Sequence, residues 1–151
     1  MTTEPQTRTV VVGVESGGSG SRTAIKMAAQ EARYRAASLI AVMTYSGERA
    51  VAPAARPLAT WRGAGEEQLA AESALRDAVV DALGEEADKV ELRTVLGLAG
   101  RNLVDTARRV NAQLIVLAGR GSTSMLLGTV SQYVLRKAPC PVLVVPEASA
   151  G

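Results

Sequence analysis

The chain has 151 residues, 47% of them hydrophobic and 21% charged, with a formal charge of +2, which suits one compact domain. It contains no histidine and a single cysteine, Cys140, so a Ser-His-Asp triad, a Cys-His pair, His-ligated metal, an internal disulfide and a thiolate metal cage are excluded. With no phenylalanine, one tryptophan and three tyrosines there is no aromatic platform for stacked bases, and the scattered basic residues form no stripe for nucleic acid.

Met1 to Arg8 is polar and threonine-rich and reads as a disordered leader without the apolar core of a signal sequence. No apolar run anywhere approaches the length of about 20 residues that spans a bilayer. With a lone cysteine, this predicts a cytoplasmic protein. Thr9 to Val14 is a β-branched run, expected to be a strand covered on both faces as in a parallel sheet. The cluster from Ser16 to Ser21 ends it, and a helix follows from Ser21 with Ile25, Ala28, Ala29, Ala32 and Ala36 at helical spacing. Leu39 to Tyr45 is a second buried strand, completing a βαβ unit.

Ser46 to Gly65, with Pro53, Pro57 and the lone Trp61, has no clean period and reads as a long irregular loop. Trp61 either covers a pocket or pins the loop to the body. A helix follows from Glu66 to Leu83, its apolar face formed by Ala71, Leu75, Ala78, Val79 and Ala82. Lys89 to Val95 alternates: Val90, Leu92 and Thr94 face one way, Glu91, Arg93 and Val95 the other, as in a strand at a sheet edge. Asn102 to Val110 is a third helix and Leu114 to Leu117 a fourth, continuously apolar strand. Gly119 to Gly128 is a second Gly/Ser loop, Thr129 to Lys137 a short helix, and Val142 to Val145 a last strand closed by Pro146. One domain over residues 9–147 is expected, with a disordered tail over 148–151.

Five strands alternating with four helices predict an α/β, doubly wound, open parallel sheet. Ligands of such sheets bind beyond the carboxyl ends of the strands, where the strand order reverses. The loops after the first and fourth strands have the small residues and following helix N-termini that suit a nucleotide or phosphate, though each is also readable as an ordinary βα turn. Cys140, between Pro139 and Pro141 with no cation nearer than Lys137, reads as an unreactive thiol. Arg120 is either a bidentate phosphate donor or a surface arginine beside a turn. No pair of carboxylates is placed for acid–base work.

The run from Gln113 to Gly121, then Leu126 to Ser131, then Cys140 to Pro146, together with Val10 to Glu15 and the alanine-rich helix after it, resembles the universal stress proteins. The resemblance implies a Rossmann-like sheet of the adenine nucleotide alpha-hydrolase-like kind, binding ATP or AMP in some members. Their motif is Gly, two residues, Gly, nine residues, then Gly-Ser or Gly-Thr. Matched here, Ala118 stands at the first glycine, Gly121 at the second and Gly128-Thr129 at the final pair, with only six residues between Gly121 and Gly128. The shortened loop cannot trace the same path around a triphosphate. The alanine would add a backbone cost of about 1 kcal/mol if its φ had to be positive. Glu15 matches the family's Asp at the end of the first strand, and Thr44, with Met43 beside it, matches a valine of the adenine pocket. The candidate nucleotide site is therefore Gly13, Val14, Glu15, Thr44, Ala118, Gly119, Arg120, Gly121, Gly128, Thr129 and Val130, with no metal. The resemblance also implies a homodimer paired through Val142, Leu143, Val144 and Val145. The expected function is a non-catalytic, cytoplasmic stress-response regulator with a degenerate nucleotide loop, no certain cofactor and a protein partner of unknown identity. A nucleotide-dependent switch is the alternative, and slow ATPase activity is left open.

Overall fold

A computed structural model describes residues 7–16, 20–46, 64–119 and 128–146. The elements are β1 (Thr9–Gly13), α1 (Gly20–Tyr34), β2 (Ser38–Tyr45), α2 (Ala64–Leu83), β3 (Glu91–Leu96), α3 (Ala99–Arg109), β4 (Leu114–Ala118), α4 (Thr129–Lys137) and β5 (Val142–Val145). All strand pairings are parallel, in the order β3-β2-β1-β4-β5. This is the doubly wound sheet expected.

The valine run of β1 works as a two-faced strand. Val10 and Val12 pack with Leu39, Ala41, Met43 and Val116 against α1 and α2, whereas Val11 packs with Ile40, Val42, Ile115 and Leu117 against α3 and α4. The chain steps outward from β1 to β2 to β3, then crosses back to lay down β4 and β5 on the other side. Crossovers of one hand that run in opposite directions along a sheet put their helices on opposite faces, so the reversal produces the two helical layers. Ile25, Leu75 and Ile115 are fully buried, each stabilising the fold by about 1.5–3 kcal/mol through removal of apolar area from water.

Most boundaries fall within a residue or two of the sequence pattern, and the departures have physical causes. Val14 lies one residue beyond β1, although its N–H still donates to the Val42 carbonyl at 2.9 Å. Ala36 is not on the helical face. It follows α1 with φ +50°, in the turn where Ala37 N–H reaches back to Ala32 O at 2.8 Å. Asn111 (φ +52°) closes α3 the same way, with Ala112 N–H on Ala107 O at 2.9 Å. Gly65 belongs to α2, and residues 47–63 of the expected irregular loop, Trp61 among them, lie outside the described residues. A 3-10 helix, Gly84–Lys89, separates α2 from β3. α3 begins at Ala99, three residues before its apolar pattern becomes clear, because Leu98 caps it without a side-chain hydrogen bond and leaves no sequence signal. β3 and β5 are the two edges of the sheet. Among the described residues no helix is long and apolar enough to cross a membrane.

Candidate functional site

The strand order reverses between β1 and β4, and their carboxyl ends open into a crevice. Gly13, Val14 and Glu15 continue from β1 into its wall, and Leu117 and Ala118 end β4 on the other side. β2 contributes Val42 and Thr44, alternate residues of one strand and hence on one face. Ala99 and Leu103 of α3 and Val130 and Ser131 of α4 complete it, leaving a volume of about 40 Å³ among the described residues. Across the sheet a larger cleft of about 320 Å³ runs between the end of β2 and the first turns of α2, where Tyr45 and Glu67 line it. Thr44 borders both. Met43, its neighbour, points the other way into the α1–α2 core and is buried.

Among the described residues the crevice wall is apolar with three polar side chains, Glu15, Thr44 and Ser131. Glu15 is the one ionisable residue among the described lining, and it is exposed. Its backbone is tied down: Glu15 N–H donates to Ser21 Oγ at 3.2 Å, and the same hydroxyl donates back to Glu15 O at 3.3 Å. Thr44 is half-buried and Ser131 buried. Gly13 is needed for packing as much as for any ligand, since a Cβ there would stand 2.8 Å from Leu103 Cδ1 and 3.0 Å from Leu117 Cδ2.

Several backbone donors of the expected site are already used. Val14 N–H goes to Val42 O, and Gly119 N–H goes to Val145 O at 2.7 Å, extending the β4–β5 ladder. Gly119 therefore closes the sheet and has no N–H to offer a phosphate. Gly128, by contrast, is the N-cap of α4 with no side-chain cap hydrogen bond, so among the described residues the first-turn N–H groups at Thr129 to Ser131 have no capping side chain. Ala118 is the last residue of β4, and its φ is not positive. The backbone cost expected of alanine at this position does not arise, because an extended strand end suits any L residue. Arg120 and Gly121 lie outside the described residues.

The structure thus brings Gly13, Val14, Glu15, Thr44, Ala118 and Val130 together. Val42, Leu117 and Ser131, which the sequence did not single out, were within reach of it: the first two follow from strand alternation and the third from its place one turn past Gly128. Ala99 and Leu103 were not, because nothing local says which helix covers β1. Burial pushes the Cys140 thiol up from its ordinary range, opposed by the Ile115 backbone hydrogen bond, which accords with an unreactive thiol. Among the described residues no group of three His, Cys, Asp or Glu side chains is placed to hold a metal.

Comparison with known proteins gives concordant results. The sequence profile described as the universal stress protein family matches residues 6–146. A universal stress protein of Methanocaldococcus jannaschii is 37% identical over 62 residues, a stretch that spans 39% of this chain and 36% of that protein. Among solved structures, a universal stress protein in complex with cAMP superposes with a TM-score of 0.67 at 27% identity, over 95% of this chain and all (100%) of the other. The universal stress protein from Archaeoglobus fulgidus in complex with dAMP gives 0.59 at 23% identity, over 93% and 99% of the two chains, a likeness of fold. With its order of strands, its crevice and a profile match over nearly its whole length, the chain belongs to the universal stress protein family.

Proposed function

We propose that this chain binds an adenine mononucleotide in the crevice between β1 and β4 and acts as a non-catalytic, cytoplasmic regulator, working as a homodimer. The observation that carries the reading is the crevice itself, which joins the Glu15 carboxylate, the Thr44 hydroxyl and the uncapped start of α4 around small apolar residues. A carboxylate accepts hydrogen bonds from an exocyclic amine or ribose hydroxyls, and helix N–H groups suit a phosphate. The relative solved with cAMP, 27% identical over 95% of this chain, supports a nucleotide of that size. The loop is degenerate toward a triphosphate: six residues between Gly121 and Gly128 are too few for the family's path around ATP. AMP is therefore the expected ligand and ATP a poor one. Among the described lining of the crevice Glu15 is the one ionisable side chain, which gives it no acid–base partner there.

Dimerisation rests on a second observation. Among the described residues β5 is a sheet edge without a further strand beside it, its Val142, Leu143 and Val144 are only half-buried, and apolar edges invite pairing unless protected by charge or a bulge. Calorimetry with AMP and with magnesium-ATP, plus analysis of nucleotide released on denaturation, tests the ligand. Micromolar binding of AMP with at least tenfold weaker ATP is expected, on the order of 1.4 kcal/mol of discrimination. ATP bound as tightly as AMP refutes the mononucleotide reading. No binding of either leaves a nucleotide-free dimer as the function.

A further inference from the structure

Asn102, half-buried near the start of α3, spans the gap between two strands. Its Nδ2 donates to the Leu96 carbonyl at 3.2 Å and to Thr44 Oγ1 at 3.4 Å. The carbonyl decides the orientation of the amide, since a carbonyl oxygen only accepts and would repel Oδ1. The loop is held tightly around this side chain. Gly97 N–H donates to Tyr45 O at 3.0 Å, Gly97 has φ +127°, and a Cβ built on it would lie 3.4 Å from Nδ2. The end of β2 is thus pinned to the β3–α3 loop at two successive residues, Thr44 through its side chain and Tyr45 through its backbone.

The consequence concerns the Thr44 hydroxyl. A hydroxyl carries one hydrogen, and an oxygen that already accepts from Asn102 turns that hydrogen elsewhere. Among the described residues none receives it, while Thr44 lines the crevice beside Val42. We propose that Asn102 is a positioning residue that fixes Thr44 as a hydrogen-bond donor to the base of the bound nucleotide. The site then selects a base presenting an unprotonated ring nitrogen at that point. The inference rests on the nucleotide reading above and adds to it the polarity of one contact. Hydroxyl and acceptor form a pair in which neither is satisfied by an apolar substitute, so the coupling is measurable.

The test measures affinity for AMP and for its 1-deaza, 3-deaza and 7-deaza analogues, each lacking one ring nitrogen, by calorimetry. For the unaltered protein one analogue is expected to bind about tenfold more weakly than AMP. In Thr44→Val, AMP falls to the level of that analogue, which itself loses nothing further. Thr44→Ser keeps the discrimination. Asn102→Ala, folded by circular dichroism, reduces it to about two- to threefold as the hydroxyl becomes free to rotate. If Asn102→Ala does not fold, Asn102→Ser, which is too short to reach Thr44, takes its place; full tenfold discrimination in a folded Asn102 variant, or discrimination that survives Thr44→Val, overturns the inference. AMP binding in which the unaltered protein and Thr44→Val treat all three analogues alike overturns this inference and leaves the nucleotide reading standing. Absence of AMP binding to the unaltered protein overturns the nucleotide reading, and this inference with it.

Discussion

At the scale of single residues, two helix ends make the same backbone turn with different side chains. Asn111 and Ala36 both hold a left-handed φ, near +50°, so that the next N–H reaches back five residues. Asparagine tolerates that region, whereas alanine is penalised by contact of its Cβ with the following carbonyl. Ala36 is exposed, so no packing contact is at stake there. Ala36→Gly is therefore expected to stabilise the protein by about 1 kcal/mol, after allowing for the entropy glycine adds to the unfolded chain. Thermal unfolding should shift upward by about 2–4 °C for a chain of this size. An unchanged or lowered midpoint would show that the turn is not strained. Ala118 is the instructive contrast: it was suspect from sequence, yet it ends a strand with ordinary backbone angles.

At the scale of elements, the crevice is a product of how strand ends and loops are joined. Because Ala118 has no positive φ, glycine there would relieve no backbone strain, whereas the spacing between Gly121 and Gly128 is a matter of chain length. Ala118→Gly by itself is accordingly expected to leave ATP affinity unchanged within about twofold, or 0.4 kcal/mol. Insertion of three residues between Gly121 and Gly128 should raise ATP affinity by about tenfold or more while sparing AMP. Calorimetry on the two variants separates the explanations. A gain from the glycine and none from the insertion would reverse the assignment. The α2 helix shows the complementary case of an element fixed by packing. Leu75 and Val79 are buried along its inner face, as their spacing requires, with Ala71 one turn before them.

At the scale of the whole molecule, the sheet has two edges of different character. β3 carries Glu91 and Arg93, whose side chains pair with each other at 3.0 Å and put charge on that edge. β5 carries Val142, Leu143, Val144 and Val145 with no charge, so a second copy of the strand across a two-fold axis is the economical cover. Light scattering at micromolar concentration should give twice the 15.7 kDa of the chain. Val144→Lys is expected to return the monomer, because an unpaired ammonium at that interface costs several kcal/mol. A monomer mass for the unaltered protein would remove the dimer from the proposed function.

The amino-acid sequence by itself determined the elements and the class of sheet. Apolar runs at β1, β2 and β4 marked strands buried on both faces, and alternation in β3 marked an edge, because burial imprints its own period on local sequence; β5, equally apolar, is an edge all the same. The glycine loops and the segment from Cys140 to Pro146 were enough to suggest the family. What the tertiary structure decided is which ends meet. The reversal of strand order set β1 against β4 and brought Ala99 and Leu103 of α3 over Gly13, an arrangement that no local pattern encodes. Asn102 and Thr44 lie 58 residues apart, and their hydrogen bond depends on the parallel register of β2 and β3 and on the turn at Gly97. Local periodicity reports how deeply a residue is buried. Which partner it meets is set by strand order and crossover hand, properties of the assembled sheet.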